Sequence, residues 1–182
     1  RAFSDATQLT SVVIESGSTT SIGQYAFLNS GLTSITIPAS IPVIGDRAFQ
    51  DATQLTSVVI ESGSTTSIGE YAFTSTGLTS ITIPASIPAI GTHAFASATH
   101  LTSVVIESGS TTRIGQWAFK DSGLTSITIP ASIPAIGTHA FASATHLTSV
   151  VIESGSTTRI DSYAFKDSGL TSITIPSSIP RI

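Results

Sequence analysis

Apolar and polar positions alternate in short bursts along this chain. In LTSITIP, Leu32, Ile35 and Ile37 are the apolar positions, so Ile35 and Ile37 share one strand face while Ser34 and Thr36 take the other. This predicts a short strand built on β-branched residues. Pro38 and Pro42 follow, and proline cannot donate to a ladder, so the strand stops there. In LTSVVIESG, Leu9, Val12 and Ile14 take the inward positions, and Gly17 with its Ser and Thr neighbours makes the turn that proline makes elsewhere. The second half of each segment brings Ile22, Ala26 and Phe27, or Ile44, Ala48 and Phe49, with Gly directly after the Ile. That stretch is too short for a full helix and predicts a helical turn or 3₁₀ piece.

The bursts belong to a repeat. Leu9, Leu32, Leu55, Leu78, Leu101, Leu124, Leu147 and Leu170 recur at a constant step, i to i+23, and the match is closer at every second step. The unit is therefore a pair of unlike coils, a Glu coil (Leu9 to Gly31) and a Pro coil (Leu32 to Gln54), alternating along the chain. Residues 85–130 and 131–176 differ only at Gly115/Asp161, Gln116/Ser162 and Trp117/Tyr163, so their likeness records copying. The eight Phe step alternately by i+24 and i+22, which predicts one internal spine. The inward side chains of one coil cannot offset the backbone entropy of ordering it, so coils must stack to fold. Residues 1–182 then form a single array of about eight coils, four 46-residue double units. Neither end carries a divergent polar cap, which reads as a fragment of a longer array or as a unit whose ends meet other copies.

The Pro coil resembles the leucine-rich repeats of the BspA-like surface-protein subclass, whose pattern runs L-x-x-I-x-I-P-x-S-V-x-x-I-G-x-x-A-F. Leu32, Ile35, Ile37, Pro38, Ser40, Ile41, Ile44, Gly45, Ala48 and Phe49 stand at the family positions. Ala52 and Ser30 stand where the family often has Cys, and the Glu coil has Glu15 for Pro and shifts Ile22-Gly23 by one residue. The resemblance implies a repeat solenoid: a horseshoe or arc with one short parallel strand per 23-residue coil and helical-turn or 3₁₀ segments opposite. It also implies adhesion or protein recognition in an extracellular or cell-surface setting.

Composition narrows the chemistry. Seven Lys+Arg against 11 Asp+Glu, net charge −4, argues against a nucleic-acid partner, since phosphates need clustered cations. No cysteine is present, so disulfides and Cys-ligated metals are excluded. No apolar run approaches the ~20 residues of a membrane helix, so this segment predicts no membrane insertion. No signal-peptide layout opens the chain.

The outward strand positions form the candidate binding face: Ser11, Val13, Ser34, Thr36, Ser57, Val59, Ser80, Thr82, Ser103, Val105, Ser126, Thr128, Ser149, Val151, Ser172 and Thr174. A flat, uncharged, regular surface of this kind suits an extended protein or glycan ligand; the same residues also simply suit exposed strands. Tyr25, Tyr71, Trp117 and Tyr163 form a candidate aromatic ridge before Ala-Phe in alternate coils, either a partner contact or rings packed over the turn. Glu15, Glu61, Glu107 and Glu153 recur every second coil, too far apart to share a metal, and read as a solvated acidic stripe, with calcium bridging through loop carbonyls as the alternative although no EF-hand loop is present. His93, His100, His139 and His146 read as surface residues, because no G-x-S-x-G or metal-ligand context surrounds them. Arg113, Arg159, Lys120 and Lys166 add a modest positive strip. No catalytic, cofactor or metal residue is assigned. The leading expectation is a non-enzymatic binding or adhesion module. Behind it stand an array or filament subunit associating end to end, and ice or crystal-surface binding through Thr10, Thr33, Thr56 and Thr79.

Overall fold

A computed structural model describes residues 1–64, 66–179 and 182. Two kinds of parallel strand alternate along the chain: β1 (Ser34–Ile37), β2 (Val43–Ile44), β3 (Ser57–Ile60), β4 (Ser67–Ile68), β5 (Ser80–Ile83), β6 (Ala89–Ile90), β7 (Ser103–Ile106), β8 (Arg113–Ile114), β9 (Ser126–Ile129), β10 (Ala135–Ile136), β11 (Ser149–Ile152) and β12 (Arg159–Ile160). The chain is a parallel β-solenoid in which each coil runs from one leucine to the next, as from Leu32 to Leu55. Odd-numbered strands stack as β1-β3 and β5-β7-β9-β11, and the two-residue strands form one sheet, β2-β4-β6-β8-β10-β12. In register, Ser34 faces Ser57 and Ile37 faces Ile60, so like residues lie on like residues. All six four-residue strands alternate exposed and buried, as the period of two requires.

Six coils, from Leu32 to Gly169, carry a second strand of two residues, where one strand per coil is expected. A strand of two residues has no periodicity to find; its inward Ile44, Ile68, Ile90, Ile114 and Ile136 are buried.

The expected helical turn or 3₁₀ piece does not form, and no helix occurs among the described residues. Along residues 25–30, every second amide leaves the coil: Tyr25, Phe27 and Asn29 donate to Asp46, Ala48 and Gln50 of the next coil at 3.1, 2.7 and 2.9 Å. Between them, Ala26, Leu28 and Ser30 donate three residues back, at 3.1, 3.4 and 3.3 Å. A helix needs every donor internally, so axial stitching excludes it. The backbone accordingly turns left-handed twice in this stretch of the coil. Tyr25, Arg47, Tyr71, His93, Trp117, His139 and Tyr163 have φ of 51–60°, and so do the residues four places on, Asn29 through Asp167, at 50–59°.

Two turn chemistries occupy the same place in the coil, but with different backbone geometry rather than the one geometry expected. Ile41 donates to Pro38 at 3.0 Å, and in the Glu coil Ser110 donates to Glu107 at 3.2 Å, with Gly109 at φ 80 in the third position. That position of the Glu turn takes positive φ, hence glycine, whereas Ser40 at the same position of the Pro turn is not left-handed. Where the Pro coil buries Ile41, Ile87 and Ile133, the Glu coil buries the pairs Ser64/Thr66, Ser110/Thr112 and Ser156/Thr158. The hydroxyls of each pair bond one another, at 2.6 Å in the last two. Each Thr hydroxyl also donates to the buried-Ile carbonyl one coil back: Thr66 to Ile41, Thr112 to Ile87, and Thr158 to Ile133 at 2.6 Å. Buried polar atoms of these turns thus have partners.

The core between the sheets is columnar. Leu32, Leu55, Leu78, Leu101, Leu124 and Leu147 are completely buried. The Phe spine forms as the spacing predicts: from Phe3 to Phe165 successive rings lie 5.1–5.3 Å apart with planes within 8°. At that separation near-parallel rings are offset-stacked.

Candidate functional site

The outward face of the long strands is assembled from β-pleat alone. With Ile35 and Ile37 buried, Ser34 and Thr36 must point out, and the register carries this along the stack. Ser11, Ser34, Ser57, Ser80, Ser103, Ser126, Ser149 and Ser172 are all exposed and form one column. Val13, Thr36, Val59, Thr82, Val105, Thr128, Val151 and Thr174 are exposed beside them as a column of alternating Val and Thr. Val59, Val105 and Val151 keep 51–53% of their surface in solvent, apolar area that folding leaves uncovered. A hollow of about 410 Å³ lies on this face between Ser11, Val13, Ser34, Thr36, Ser57 and Val59. No Lys, Arg, Asp or Glu belongs to either column.

A Thr column borders the face. Thr33, Thr56, Thr102, Thr125 and Thr148 donate their hydroxyls to the backbone carbonyls of Thr10, Thr33, Thr79, Thr102 and Thr125, one coil back, at 3.1–3.4 Å. These side chains are exposed yet fixed in rotamer by that bond.

The aromatic ridge is a continuous stack rather than a row of separate rings. The residue before Ala-Phe in the intervening coils fills the gaps, so the column reads Tyr25, Arg47, Tyr71, His93, Trp117, His139, Tyr163. Tyr71 to His93 is 4.6 Å between centroids, His93 to Trp117 5.0 Å, Trp117 to His139 5.4 Å and His139 to Tyr163 4.9 Å. The Arg47 guanidinium lies 4.9 Å over Tyr71 and 5.6 Å from the Tyr25 ring, and donates to the Tyr25 hydroxyl at 2.6 Å. That hydrogen bond, with the phenol oxygen's attraction, raises the Arg47 pKa. Ring faces inside the column are covered by neighbours, leaving ring edges to solvent; Tyr163 alone is exposed, at 63%.

His93 and His139 are therefore not surface residues. Both are half-buried, and the Nδ1 of each is enclosed without a hydrogen-bond partner. Burial first, and then the Lys120 ammonium, push the His93 pKa down, with Glu70 opposing. His100 and His146 are exposed. The repeat phase holds the signal for this column, since positions 25, 47, 71 and 93 each precede Ala-Phe, but it emerges only when both coil types are read together.

The Glu residues do not make a solvated stripe either. Glu15 is exposed, but Glu61, Glu107 and Glu153 are half-buried and accept the amides of Ala39, Ala85 and Ala131, the residue after proline in the preceding coil, at 3.1, 3.0 and 3.0 Å. Their recurrence in alternate coils follows from this pairing with the Pro coil.

Arg113 and Arg159 are exposed on the short-strand sheet, away from the uncharged face, with Arg159 paired to Asp161 at 2.7 Å. Among the described residues no three His, Asp or Glu cluster as metal ligands would, and no helix is long and apolar enough to cross a membrane.

A family model for the BspA type leucine rich repeat region, in six copies, matches residues 1–78 and again 66–182. Among solved structures, a leucine-rich repeat protein from Bacteroides ovatus is 29% identical with a TM-score of 0.81, over 98% of this chain and 46% of that one. The pneumococcal vaccine antigen PcpA is 29% identical with a TM-score of 0.60, over 69% of this chain and 32% of that one. A leucine rich cell surface protein from Faecalibacterium prausnitzii is 26% identical with a TM-score of 0.53, over 75% of this chain and 43% of that one. The chain thus spans less than half the length of each of these structures. No curated protein matches the sequence.

Proposed function

Because the chain belongs to the BspA-type leucine-rich repeat family, we propose that it is a non-enzymatic binding and adhesion module of a cell-surface or secreted protein, recognising a protein ligand through the long-strand face. The observation that carries this reading is the pair of uncharged, exposed, in-register columns from Ser11 to Thr174, flanked by rotamer-fixed Thr. Such a surface loses little side-chain entropy on binding, since Ser, Thr and Val have few rotamers. Its half-exposed Val residues offer apolar area for a partner to cover, and no buried charge has to be desolvated. The vaccine-antigen and cell-surface descriptions of two similar structures support the surface setting.

The test is binding of the purified chain to panels of matrix proteins, host-cell surfaces and glycans, beside the double variant Ser126→Arg/Thr128→Arg. Saturable protein binding that the double variant loses supports the reading. Binding unchanged by the variant places recognition elsewhere, and glycan binding without protein binding changes the ligand class. No binding to any panel member removes the proposal.

A further inference from the structure

Successive coils are not joined equally on their strand side. From a Pro coil to the following Glu coil, the long strands pair through four residues each time: β1 with β3, β5 with β7, and β9 with β11. From a Glu coil to the next Pro coil, the pairing shrinks to one residue or none. Ser11 meets Ser34, Ser103 meets Ser126, and Val151 meets Thr174, while β3 and β5 fall in separate sheets. The second sheet keeps the same rhythm. Two pairs join β2 to β4, β6 to β8 and β10 to β12, but a single Ile pair joins β4 to β6 and β8 to β10.

Side chains of the turns reinforce the difference, whereas the Thr column crosses both kinds of joint. In these turns each Pro-to-Glu joint carries the Glu carboxylate on the post-proline amide and the Thr hydroxyl on the buried-Ile carbonyl. The turns of a Glu-to-Pro joint carry one hydroxyl bond, such as Ser132 to the Ser110 carbonyl at 2.6 Å.

The Phe side adds one amide bond at Pro-to-Glu joints, such as Gly123 to Ala98 at 3.2 Å, but its main stitching crosses both kinds of joint. Phe49 donates to Ala72 at 2.8 Å and Phe73 to Ala94 at 2.7 Å, across the two kinds of joint, and the Phe rings keep one spacing throughout.

We propose that the Glu-to-Pro joints are built-in hinges, at which the strand face splays while the Phe side stays stitched, so that the solenoid flexes in rigid two-coil blocks. A joint held by at most one long-strand pair and a few flanking amides on one side, such as Gly91 to Ile68 at 3.0 Å, and by the Phe-side stitching on the other opens by rotation about the held side. Each block is a Pro coil with its following Glu coil, for example residues 78–123. The outward columns then change spacing at every second coil only, and the surface can follow a ligand of different curvature in steps. Joint stiffness follows from hydrogen bonding alone and stands whether or not a ligand is found.

The chain has no cysteine, so pairs of introduced cysteines carry spin labels cleanly. Labels at Thr36→Cys/Val59→Cys and Thr82→Cys/Val105→Cys span Pro-to-Glu joints; labels at Val59→Cys/Thr82→Cys and Val105→Cys/Thr128→Cys span Glu-to-Pro joints. All these positions are exposed, so the fold tolerates the labels. The second set should show distance distributions at least twofold broader than the first. Equal widths in the two sets overturn the proposal. Adding Glu107→Gln with Thr112→Val should broaden the Thr82/Val105 pair towards the hinge value; no broadening would show that these bonds do not set joint stiffness and would overturn it too.

Discussion

The Glu107 carboxylate accepts the backbone amide of Ala85 at 3.0 Å, holding the turn of one coil from the coil that follows. The amide belongs to a half-buried residue directly after Pro84 and has no ladder partner, so removing the acceptor leaves a donor unsatisfied. Glu107→Ala should lower unfolding free energy by about 1–3 kcal/mol, as charged acceptors do. Glu107→Gln, which keeps an acceptor oxygen, should lose less. Urea denaturation of both variants measures this; an alanine variant as stable as the parent contradicts the role.

Gly77 and Gly109 should respond differently to alanine. A Cβ at Gly77 would sit 2.2 Å from the Thr53 carbonyl oxygen, a backbone atom of the preceding coil, so the coils must part. At Gly109 the space is open and only the positive φ of 80° opposes a side chain. Gly77→Ala should cost about 3 kcal/mol and Gly109→Ala about 1–2 kcal/mol. Thermal unfolding of both variants tests the order.

Acid should weaken the stack at His93. Its pKa is lowered in the fold, from an ordinary 6.5, so the unfolded chain binds the proton more readily. The stabilising preference is therefore complete above about pH 6.5 and is lost as the pH falls through the lower folded value. His93→Gln should flatten that limb of the stability curve. Trp117, the only tryptophan, lies 5.0 Å from the His93 ring, so its emission should fall as the His93 imidazolium forms beside it. A pH titration of Trp117 fluorescence, with its midpoint below 6.5 for the parent, checks this.

Phe95 lies fully buried between Phe73 and Phe119, each 5.3 Å away. Phe95→Ala should cost about 3–5 kcal/mol, while Val105→Thr on the exposed face should change stability by less than about 0.5 kcal/mol. Denaturation midpoints of the two variants separate spine from surface.

Phase makes the spine and the strands legible: period two at Ile35 and Ile37, and the constant step of the leucines, leave one way for like residues to meet. The turn between Ile44 and Leu55 is less legible, because nothing local in Gly-Asp-Arg-Ala-Phe announces that every second amide will bond along the stack. Left-handed φ at residues as bulky as Tyr71 and Trp117 runs against their intrinsic preference and is imposed by that stitching. Glu107 escapes a local reading for a related reason. Its partner is a lone amide in the adjacent coil, which becomes visible only when unlike coils are laid on one another. The exposed columns follow from the strand pattern alone, but the pattern carries no ligand chemistry.

Along the border of the strand face, each Thr hydroxyl that donates to the carbonyl one coil back, from Thr33 to Thr148, has committed its only proton. What faces outward is a run of lone pairs and methyl groups. First-layer water along that border must approach hydrogen first, so the protein imposes a single polarity on its own hydration there. Any molecule displacing that water has to bring N–H or O–H groups of its own, or leave a line of acceptors dry.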